Sequence, residues 1–427
     1  MPFRPLYFNV ASPEEPQNVD SQSTSSLNMS DLNLLQHYIL HTSKRMTLHK
    51  IKTVVWERIV PEMAAANEFL MHLVLALAGL DILTSRDTSA RNDQGSSKPF
   101  IAASAPQLRS IMEHHQQGLA GLQEALCTTS EPDAEALLAG SMLVVGFAFA
   151  SFGIKDLDPS AHAFHDTLSP KSASPSPHLN VGTIHIQWIH LVRGVTSILK
   201  QFWPTLRKCR LRALLFANHA NEDWKLCKEQ VRSSMSPSRC IHSRRLHKFG
   251  TGANHAISKL RDLYTSLLSS TGLEDGIQSS PSITTPQSNQ SGNVGSVSLE
   301  PYEKAIGVVE DLYMRILYVM HMKPLDCHAS SDLEIQTDIE DAAVSSWPHL
   351  LPEEFISSLD PQGNLDRMQG VSVVILAHLY LTIAILDEIW YYGKRCDIEI
   401  YKMNTLIGGL GDTRLISLME WPIDVIQ

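Results

Sequence analysis

The chain has 427 residues, of which 43% are hydrophobic and 19% are charged, and its formal net charge at pH 7 is −10. This balance excludes an intrinsically disordered chain, because it supplies enough apolar surface for a sizeable core. The negative charge excludes a protein that binds nucleic acid over its whole surface, because neutralising the phosphates requires an excess of Lys and Arg. Any contact with DNA is therefore expected to be local or made through a partner.

The N-terminus predicts a disordered, linker-like tail over residues 1–26. The stretch ASPEEPQNVDSQSTSS, residues 11–26, is rich in Ser, Pro and acidic or amide groups. Such a segment cannot bury enough apolar surface to offset the entropy lost on ordering. Prolines and acids also interrupt the apolar run that a secretory signal requires, so no export is indicated.

Helical periodicity begins directly after this tail. Ser30 is a candidate N-cap for an amphipathic helix that starts near Asp31. Pro61 then marks a boundary within the next helical stretch, and Asn67 could cap the helix after it. RDTSARNDQGSSKP is a loop by composition, and helical spacing resumes in PQLRSIMEHHQQGLAGLQEAL.

The later segments are also helical, with two interruptions. LLAGSMLVVGFAFASFGI, residues 137–154, carries no charge and predicts an internal helix. Residues 204–248 form a basic divergent segment, and residues 274–299 read as a disordered loop of low complexity. No run of alternating β-branched residues competes with these helices. The fold class is therefore predicted as all-α, a single large irregular helical bundle over residues 27–427 with disordered insertions.

VSVVILAHLYLTIAIL, residues 371–386, is the most apolar stretch and carries His378. Its 19 uncharged residues, Met368 to Leu386, reach the length of a membrane span, but polar residues interrupt them and no basic flank sets an orientation. We expect a buried core helix rather than a span. Thr382 lies one turn after His378, so the two side chains are predicted to satisfy each other without a catalytic role. His72, in FLMHLVLALAG, is interpreted in the same way.

Other histidines and glycines give weak signals. His162, His165 and Asp166 have the spacing of metal ligands but lie in a loop-like segment without a fourth ligand. Adjacent residues of a helix diverge, so Glu113–His115 is predicted, like that group, to place its histidines at the surface. GGLG at Gly408–Gly411 lacks the strand and the Lys-Ser or Lys-Thr of a phosphate loop, and predicts a helix C-cap and turn.

The cysteines are scattered and form no C-x-x-C pair, which fits reduced thiols in a cytosolic or nuclear compartment. They are Cys127, Cys209, Cys227, Cys240, Cys327 and Cys396. With no hydrolase, metalloprotease or paired-acid signature elsewhere, we predict no catalytic residue, no metal site and no cofactor.

The basic segment contains eleven Lys or Arg and three Asp or Glu. RKCRLR at residues 207–212 and RCIHSRRLHK at residues 239–248 could form a nuclear import signal or a nucleic-acid patch. The alternative is a solvated loop whose charge offsets the acidic remainder, and we favour it.

The order of the segments carries more information than any one of them. Together they resemble the regulatory region of fungal binuclear zinc-cluster transcription factors, in particular the sterol uptake control proteins. The segments that carry this resemblance are SDLNLLQHYILHTSKRM, VVWERIVPEMAAANEFLMHLVLALAGLDIL, HHQQGLAGLQEAL, IQWIHLVRGVTSIL, SSWPHLLPEEF and VVILAHLYLTIAILDEIWYYG with LMEWP.

The resemblance implies a helical domain that senses an apolar ligand and dimerises, acting in the nucleus and also in the cytoplasm. In that family, six closely spaced cysteines hold two zinc ions and read DNA. This sequence lacks that spacing, and residues 204–248 depart from the family pattern. The expectation is therefore a transcriptional regulator of fungal metabolism, concerned with sterols or a secondary-metabolite gene cluster and without its own zinc cluster.

The partners implied are a second copy of the chain, a full-length zinc-cluster factor and an apolar small molecule. DNA contact is expected to be indirect, with no membrane span. Two alternatives stay open: a biosynthetic enzyme or small-molecule carrier that reuses the helical scaffold, and a truncated gene model of a full zinc-cluster factor.

Overall fold

The structure, a computed structural model, describes residues 28–94, 105–128, 134–152, 154, 184–215, 225, 241–275, 298–321, 332–344, 347–359 and 365–427. The regular secondary structure in these ranges is helical, without a β-strand, which confirms the all-α prediction. The predicted tail over residues 1–26 lies outside them. So does most of the predicted loop over residues 274–299.

The chain order of the elements is as follows. The α-helices are α1 (Met29–His37), α2 (Lys50–Val54), α3 (Val60–Ala64), α4 (Glu68–Gln94), α5 (Ala105–Cys127), α6 (Ala134–Ser151), α7 (Gln187–Leu206), α8 (Arg212–Leu215), α9 (Arg244–Asp275), α10 (Glu300–His321), α11 (Asp332–Ile339), α12 (Glu353–Ser358), α13 (Arg367–Ala384), α14 (Gly393–Leu410) and α15 (Thr413–Ile426). Three π-helical turns lie at Tyr38–Thr42, Val55–Ile59 and Glu340–Val344, and 3-10 turns at Ser43–Arg45 and Trp347–His349.

The first helix starts earlier than its sequence pattern predicts. Asn28, not Ser30, is the N-cap of α1, and its side chain accepts a hydrogen bond from the Ser30 amide at 3.1 Å. Asn67 precedes α4 as expected, but its side-chain amide donates back to the Met63 carbonyl at 2.8 Å. Asx side chains have several backbone partners within reach, and residue type alone does not select one.

Helices α4, α5 and α6 form a tightly packed group. α5 runs antiparallel to α4, and glycines permit the close approach, with a Cβ on Gly118 falling 2.7 Å from the Leu73 side chain and one on Gly121 only 2.5 Å from Phe69. α6 crosses the same face of α4 and is buried along most of its length, which confirms the predicted internal helix. α4 continues to Gln94, through the first part of the predicted RDTSARNDQGSSKP loop, because no helix breaker occurs before Gly95.

α13 is the central helix of the second half. A capping box between Asp366 and Gln369 starts it, and every residue from Gly370 to Ala384 is buried. α14 and α15 pack along it from one side, and α10 packs from another, with α9 across α10 and α15. α14 ends at Gly411, whose positive φ of 69° is the left-handed cap predicted from GGLG.

Aromatic contacts join α6 and α7, in the N-terminal half of the chain, to α13 and the residues that follow it. The Trp188 ring of α7 meets Tyr380 of α13 edge-on, with centroids 5.5 Å apart, and Phe149 of α6 meets Tyr392 edge-on at 5.0 Å. The Tyr391 hydroxyl donates to the Met46 carbonyl at 2.8 Å. The buried apolar side chains of the described ranges consequently form one connected core.

Three helical windows are long and apolar enough to cross a membrane by length and composition: Glu68–Ser85, Ala134–Ser151 and Arg367–Ala384. In the folded chain, 61%, 67% and 83% of these windows are buried against protein. α4 and α6 cover each other, while α13 is covered mainly by α14, α15 and α10.

Candidate functional site

His378 is a buried core residue whose partners differ from the predicted one. Its Nδ1 lies 3.0 Å from the Tyr313 hydroxyl and its Nε2 lies 3.2 Å from the Leu418 carbonyl. Because the carbonyl can only accept, Nε2 carries the ring proton and Nδ1 accepts from Tyr313. Thr382 instead donates to the Leu379 carbonyl at 2.7 Å, so the predicted His378–Thr382 pairing is wrong.

Burial fixes the charge state of this histidine. It lowers the pKa of His378 to about 4, so the ring is neutral at physiological pH. With both nitrogens bonded and 1% of the residue exposed, His378 has no atom available to a substrate.

The facing sides of α7 and α13 are filled by aromatic side chains. Tyr380 accepts a hydrogen bond from Trp188 Nε1 at 2.5 Å and donates to the His185 carbonyl. Trp347 packs edge-on against Trp188, with centroids 5.1 Å apart. These side chains satisfy and pack one another, and they form a structural connection between the two halves.

α14 carries the acidic partners of two ion pairs, one fully buried and one largely buried. Glu399 and Lys402 are both fully buried, with Oε1 and Nζ 2.8 Å apart, and Glu399 also accepts from the His185 amide at 3.1 Å. The Asp397 carboxylate accepts hydrogen bonds from both terminal nitrogens of Arg245, at 3.2 and 2.9 Å. Burial raises the pKa of Asp397 to about 6 while Arg245 opposes the rise. A buried charge that lost its partner would be costly, so both pairs hold the fold together.

The basic segment takes part in the fold where it is described. Arg210 binds Glu62 at 3.0 Å and Glu135 at 3.1 Å, and Lys248 binds Asp424 at 2.8 Å. Arg245 also donates to the Ala384 and Ile426 carbonyls, at the ends of α13 and α15. The predicted solvated loop is therefore wrong for Arg245 and Lys248, which lie in α9 and pair with acids from distant parts of the chain. Arg210 lies in an exposed turn, as predicted. The remaining described basic residues of RKCRLR, Arg207, Lys208 and Arg212, are exposed.

The prediction of surface histidines in Glu113–His115 is also wrong. Glu113 is exposed, but His114 and His115 are buried because α5 is covered on two sides. His115 stacks on Phe147 of α6 with ring centroids 3.7 Å apart, and its Nε2 has no hydrogen-bond partner. Burial lowers the pKa of His115 to about 4. The residues His162, His165 and Asp166 lie outside the described ranges.

The structure brings together two histidines that lie far apart in sequence. His72 Nδ1 on α4 and His114 Nδ1 on α5 are 2.9 Å apart. A carboxylate faces the outer nitrogen of each ring, with Asp31 of α1 at 3.3 Å from His114 Nε2 and Glu68 at 4.0 Å from His72 Nε2. Desolvation, reinforced by the neighbouring His114, lowers the pKa of His72. We name His72, His114, Asp31 and Glu68 the histidine pair with its two carboxylates.

This cluster is the candidate functional site. Its ring nitrogens are titratable and lie near the surface, with 21% of the His72 side chain and 11% of the His114 side chain exposed. From the sequence, His72 was predicted as a core residue and His114 as a surface residue, because the pairing depends on the register between α4 and α5. The glycines that set this register, Gly118 and Gly121, are the signal that could have found it.

A second polar cluster holds α1 beside the same helices. Asp81 of α4 is fully buried and accepts from Thr42 at 2.8 Å, Arg45 at 2.9 Å and the His37 ring at 3.1 Å. α1 itself has no fully buried residue. Its outer face, with the following π-turn, forms an open apolar groove lined by Leu32, Leu35, Gln36, Ile39 and Leu40. α1 is therefore attached through polar contacts near its two ends and through partly buried side chains such as Leu34 and Leu35.

Comparison with known protein families supports the class inferred from the sequence. Residues 33–229 match the fungal specific transcription factor domain. This confirms the predicted resemblance over the first helices of the bundle, α7 and part of the basic segment. The histidine pair lies inside the matched region, with Asp31 just before it.

Two curated relatives indicate the same class of protein. The chain is 23% identical over 198 residues to sterol uptake control protein 2 of Saccharomyces cerevisiae and 26% identical over 188 residues to sterol uptake control protein 2 of Candida albicans. These matches cover 46% and 44% of this chain but only 18% and 21% of the relatives. The chain therefore matches about a fifth of the length of each of them.

Proposed function

We propose that the chain is a transcriptional regulator of fungal metabolism that acts in the nucleus through its helical domain. The observation that carries the proposal is the match of residues 33–229 to the fungal specific transcription factor domain, in a chain whose described elements are helical. The net charge of −10 supports an indirect contact with DNA through a partner.

The proposal includes a partner and a ligand. We propose pairing with a second copy of the chain or with a full-length zinc-cluster factor, and regulation by an apolar metabolite such as a sterol. The names of the two relatives, which are sterol uptake control proteins, support the metabolic context.

The proposal treats the chain as a regulator without catalytic activity. The enzyme alternative rested on His72 and His378. Both nitrogens of His378 are engaged inside the core, and His72 is hydrogen-bonded to a second histidine, so neither is aligned with a nucleophile or a general acid.

We further propose that α4, α6 and α13 are core helices of a protein that does not cross a membrane. The burial of 83% of the α13 window against protein supports this. Alkaline carbonate extraction of a fungal lysate should release the tagged chain into the supernatant. Retention in the pellet would oppose this reading.

Transcript profiling and chromatin immunoprecipitation test the regulatory function. We expect deletion of the gene to change a coherent set of metabolic transcripts, and the tagged protein to be enriched at their promoters. A strain carrying Arg207→Ala, Lys208→Ala and Arg212→Ala tests nuclear import, because these exposed side chains can be removed without breaking the Arg245 contacts. Unchanged transcripts together with no promoter enrichment would overturn the proposal.

A further inference from the structure

We propose that His72 and His114 form a binding site for a transition-metal ion, with Zn²⁺ as the ion to test. The inference rests on the geometry of the histidine pair and does not depend on the regulatory function. No metal site was expected here, because the two ligands belong to different helices, with His72 predicted as a core residue and His114 as a surface residue.

The separation of the two nitrogens fits a bridging ion after a small adjustment. Zinc binds histidine nitrogen at about 2.0 to 2.1 Å, so two nitrogens of a tetrahedral site lie about 3.3 Å apart. The two Nδ1 atoms are 2.9 Å apart, and a small rotation of either ring supplies the difference. The pair sits between α4 and α5, which the Gly118 and Gly121 contacts hold in a fixed register.

The carboxylates are placed as outer partners of metal-binding histidines. Such histidines donate their second ring N–H to a carboxylate, which fixes the tautomer and leaves the other nitrogen to bind metal. Asp31 takes this position at His114 Nε2, at 3.3 Å, and Glu68 takes it more loosely at His72 Nε2, at 4.0 Å. Both Nδ1 lone pairs can then point at one ion.

The protons balance without an additional reactant. In the absence of metal, His72 Nδ1–H donates to His114 Nδ1, while His114 Nε2–H faces Asp31. On metal binding His72 Nδ1 gives its proton to water and Nε2 takes one back from water beside Glu68, so the ring changes tautomer with no net release of protons. Two new bonds form, from the ion to each Nδ1, and the net charge of the rings is unchanged.

Two protein ligands leave positions for water or for a third side chain. Within the described ranges, no three His, Cys, Asp or Glu side chains are arranged to hold a metal together. The Glu68 side chain is 94% exposed one turn before His72 and can rotate toward the ion. The ion would then connect α4 to α5 directly and to α1 through Asp31.

Zinc titration of the full, metal-stripped chain by calorimetry tests the site. We expect wild type to bind one zinc ion more than either His72→Gln or His114→Gln. His190→Gln and His255→Gln are the matched controls, because these residues are exposed on α7 and α9, and they should bind as wild type does.

A second variant separates a metal site from a structural hydrogen bond. Asp31→Asn should keep the stoichiometry and weaken zinc affinity by about 10- to 100-fold, as loss of an outer carboxylate does. Circular dichroism checks that each variant remains folded, and two independent histidine variants guard against one that does not. Equal zinc binding by wild type and both histidine variants would overturn the site, and so would unchanged affinity in Asp31→Asn.

Discussion

Gly252 of α9 faces the indole of Trp421 so closely that a Cβ at position 252 would lie 1.9 Å from Trp421 Nε1. The indole in turn stacks against the His378 ring, with centroids 5.9 Å apart, and contacts Tyr313 at 5.7 Å. A missing side chain on α9 therefore makes room for the aromatic group that covers the central histidine.

Gly252→Ala is expected to destabilise the fold even though alanine favours helices. The methyl group forces Trp421 to move, and such overpacking costs about 1 to 3 kcal/mol, against a helix-propensity gain of about 1 kcal/mol. Gly307→Ala in α10 is the control, because a Cβ there has no heavy atom within 4 Å. Urea unfolding of both variants should show a lower free energy of unfolding for position 252 and an equal or higher one for position 307.

Arg245→Ala is expected to cost far more stability than Arg244→Ala. Arg245 joins Asp397, the Ala384 carbonyl and the Ile426 carbonyl, and its removal leaves a buried carboxylate unpaired, at about 3 to 5 kcal/mol. Arg244 is exposed at the start of the same helix and should change the unfolding free energy by less than about 0.5 kcal/mol. Thermal unfolding followed by circular dichroism measures both, and equal effects would contradict the assigned contacts.

Stability is expected to fall as the pH is lowered from 6.5 toward 4. Burial lowers the pKa of His378 and of His115 to about 4, so the unfolded chain takes up protons in this window that the folded chain does not. Each histidine then contributes a slope of at most about 1.4 kcal/mol per pH unit, with its full stabilisation present above pH 6.5. Asp397 acts with the opposite sign, since its raised pKa gives stability that is lost as the pH rises through about 6.

His115→Phe isolates one of these contributions. The ring keeps its stack on Phe147, and the unpartnered Nε2 disappears. We expect the variant to lose part of the slope between pH 6.5 and 4 and to gain most in stability at the acid end. Unfolding free energies at pH 7, 6 and 5 measure this, and a slope equal to that of wild type would rule out a neutral, buried His115.

Asp81→Asn is expected to loosen α1 while leaving the centre of the bundle intact. The carboxylate binds Thr42, Arg45 and His37, and α1 buries no residue fully, so these bonds supply much of its attachment. Loss of the charge should cost about 1 to 3 kcal/mol, toward the low end because Arg45 is nearly half exposed. Hydrogen exchange should accelerate over residues 29–45 and stay slow in α13. Glu113→Gln, an exposed carboxylate on α5, is the control and should change neither.

Periodicity and breakers predicted much of the fold from sequence. The uncharged run in α6, the apolar run in α13 and the glycine cap at Gly411 each carry a local signal with one dominant physical cause. α9 was not singled out, although Leu246, Phe249, Ala253 and Leu260 repeat at helical spacing and are buried. The neighbouring excess of Arg and Lys obscured that pattern.

The hydrogen-bond partners of the buried histidines could not be predicted from residue type. His378 could reach Thr382 one turn away, but Tyr313, 65 positions earlier, supplied a better partner from a neighbouring helix. The contact between His72 and His114 depends on how closely α5 approaches α4. Gly118 and Gly121 permit that close approach. Hydrogen-bond partners across helices follow from packing, and packing follows from many residues at once.

The three π-helical turns have a consequence for comparing this chain with its relatives. Each turn closes its hydrogen bonds over five residues instead of four, so it holds an additional residue compared with an α-helix. In the first of them, this places Tyr38 in the core and lets Thr42 reach Asp81. A relative with one residue fewer at Tyr38–Thr42 would close an ordinary α-helical turn there, and the following side chains would keep their neighbours. A single-residue gap at this place in an alignment would therefore mark the loss of the wide turn itself, with the helices on either side still in register.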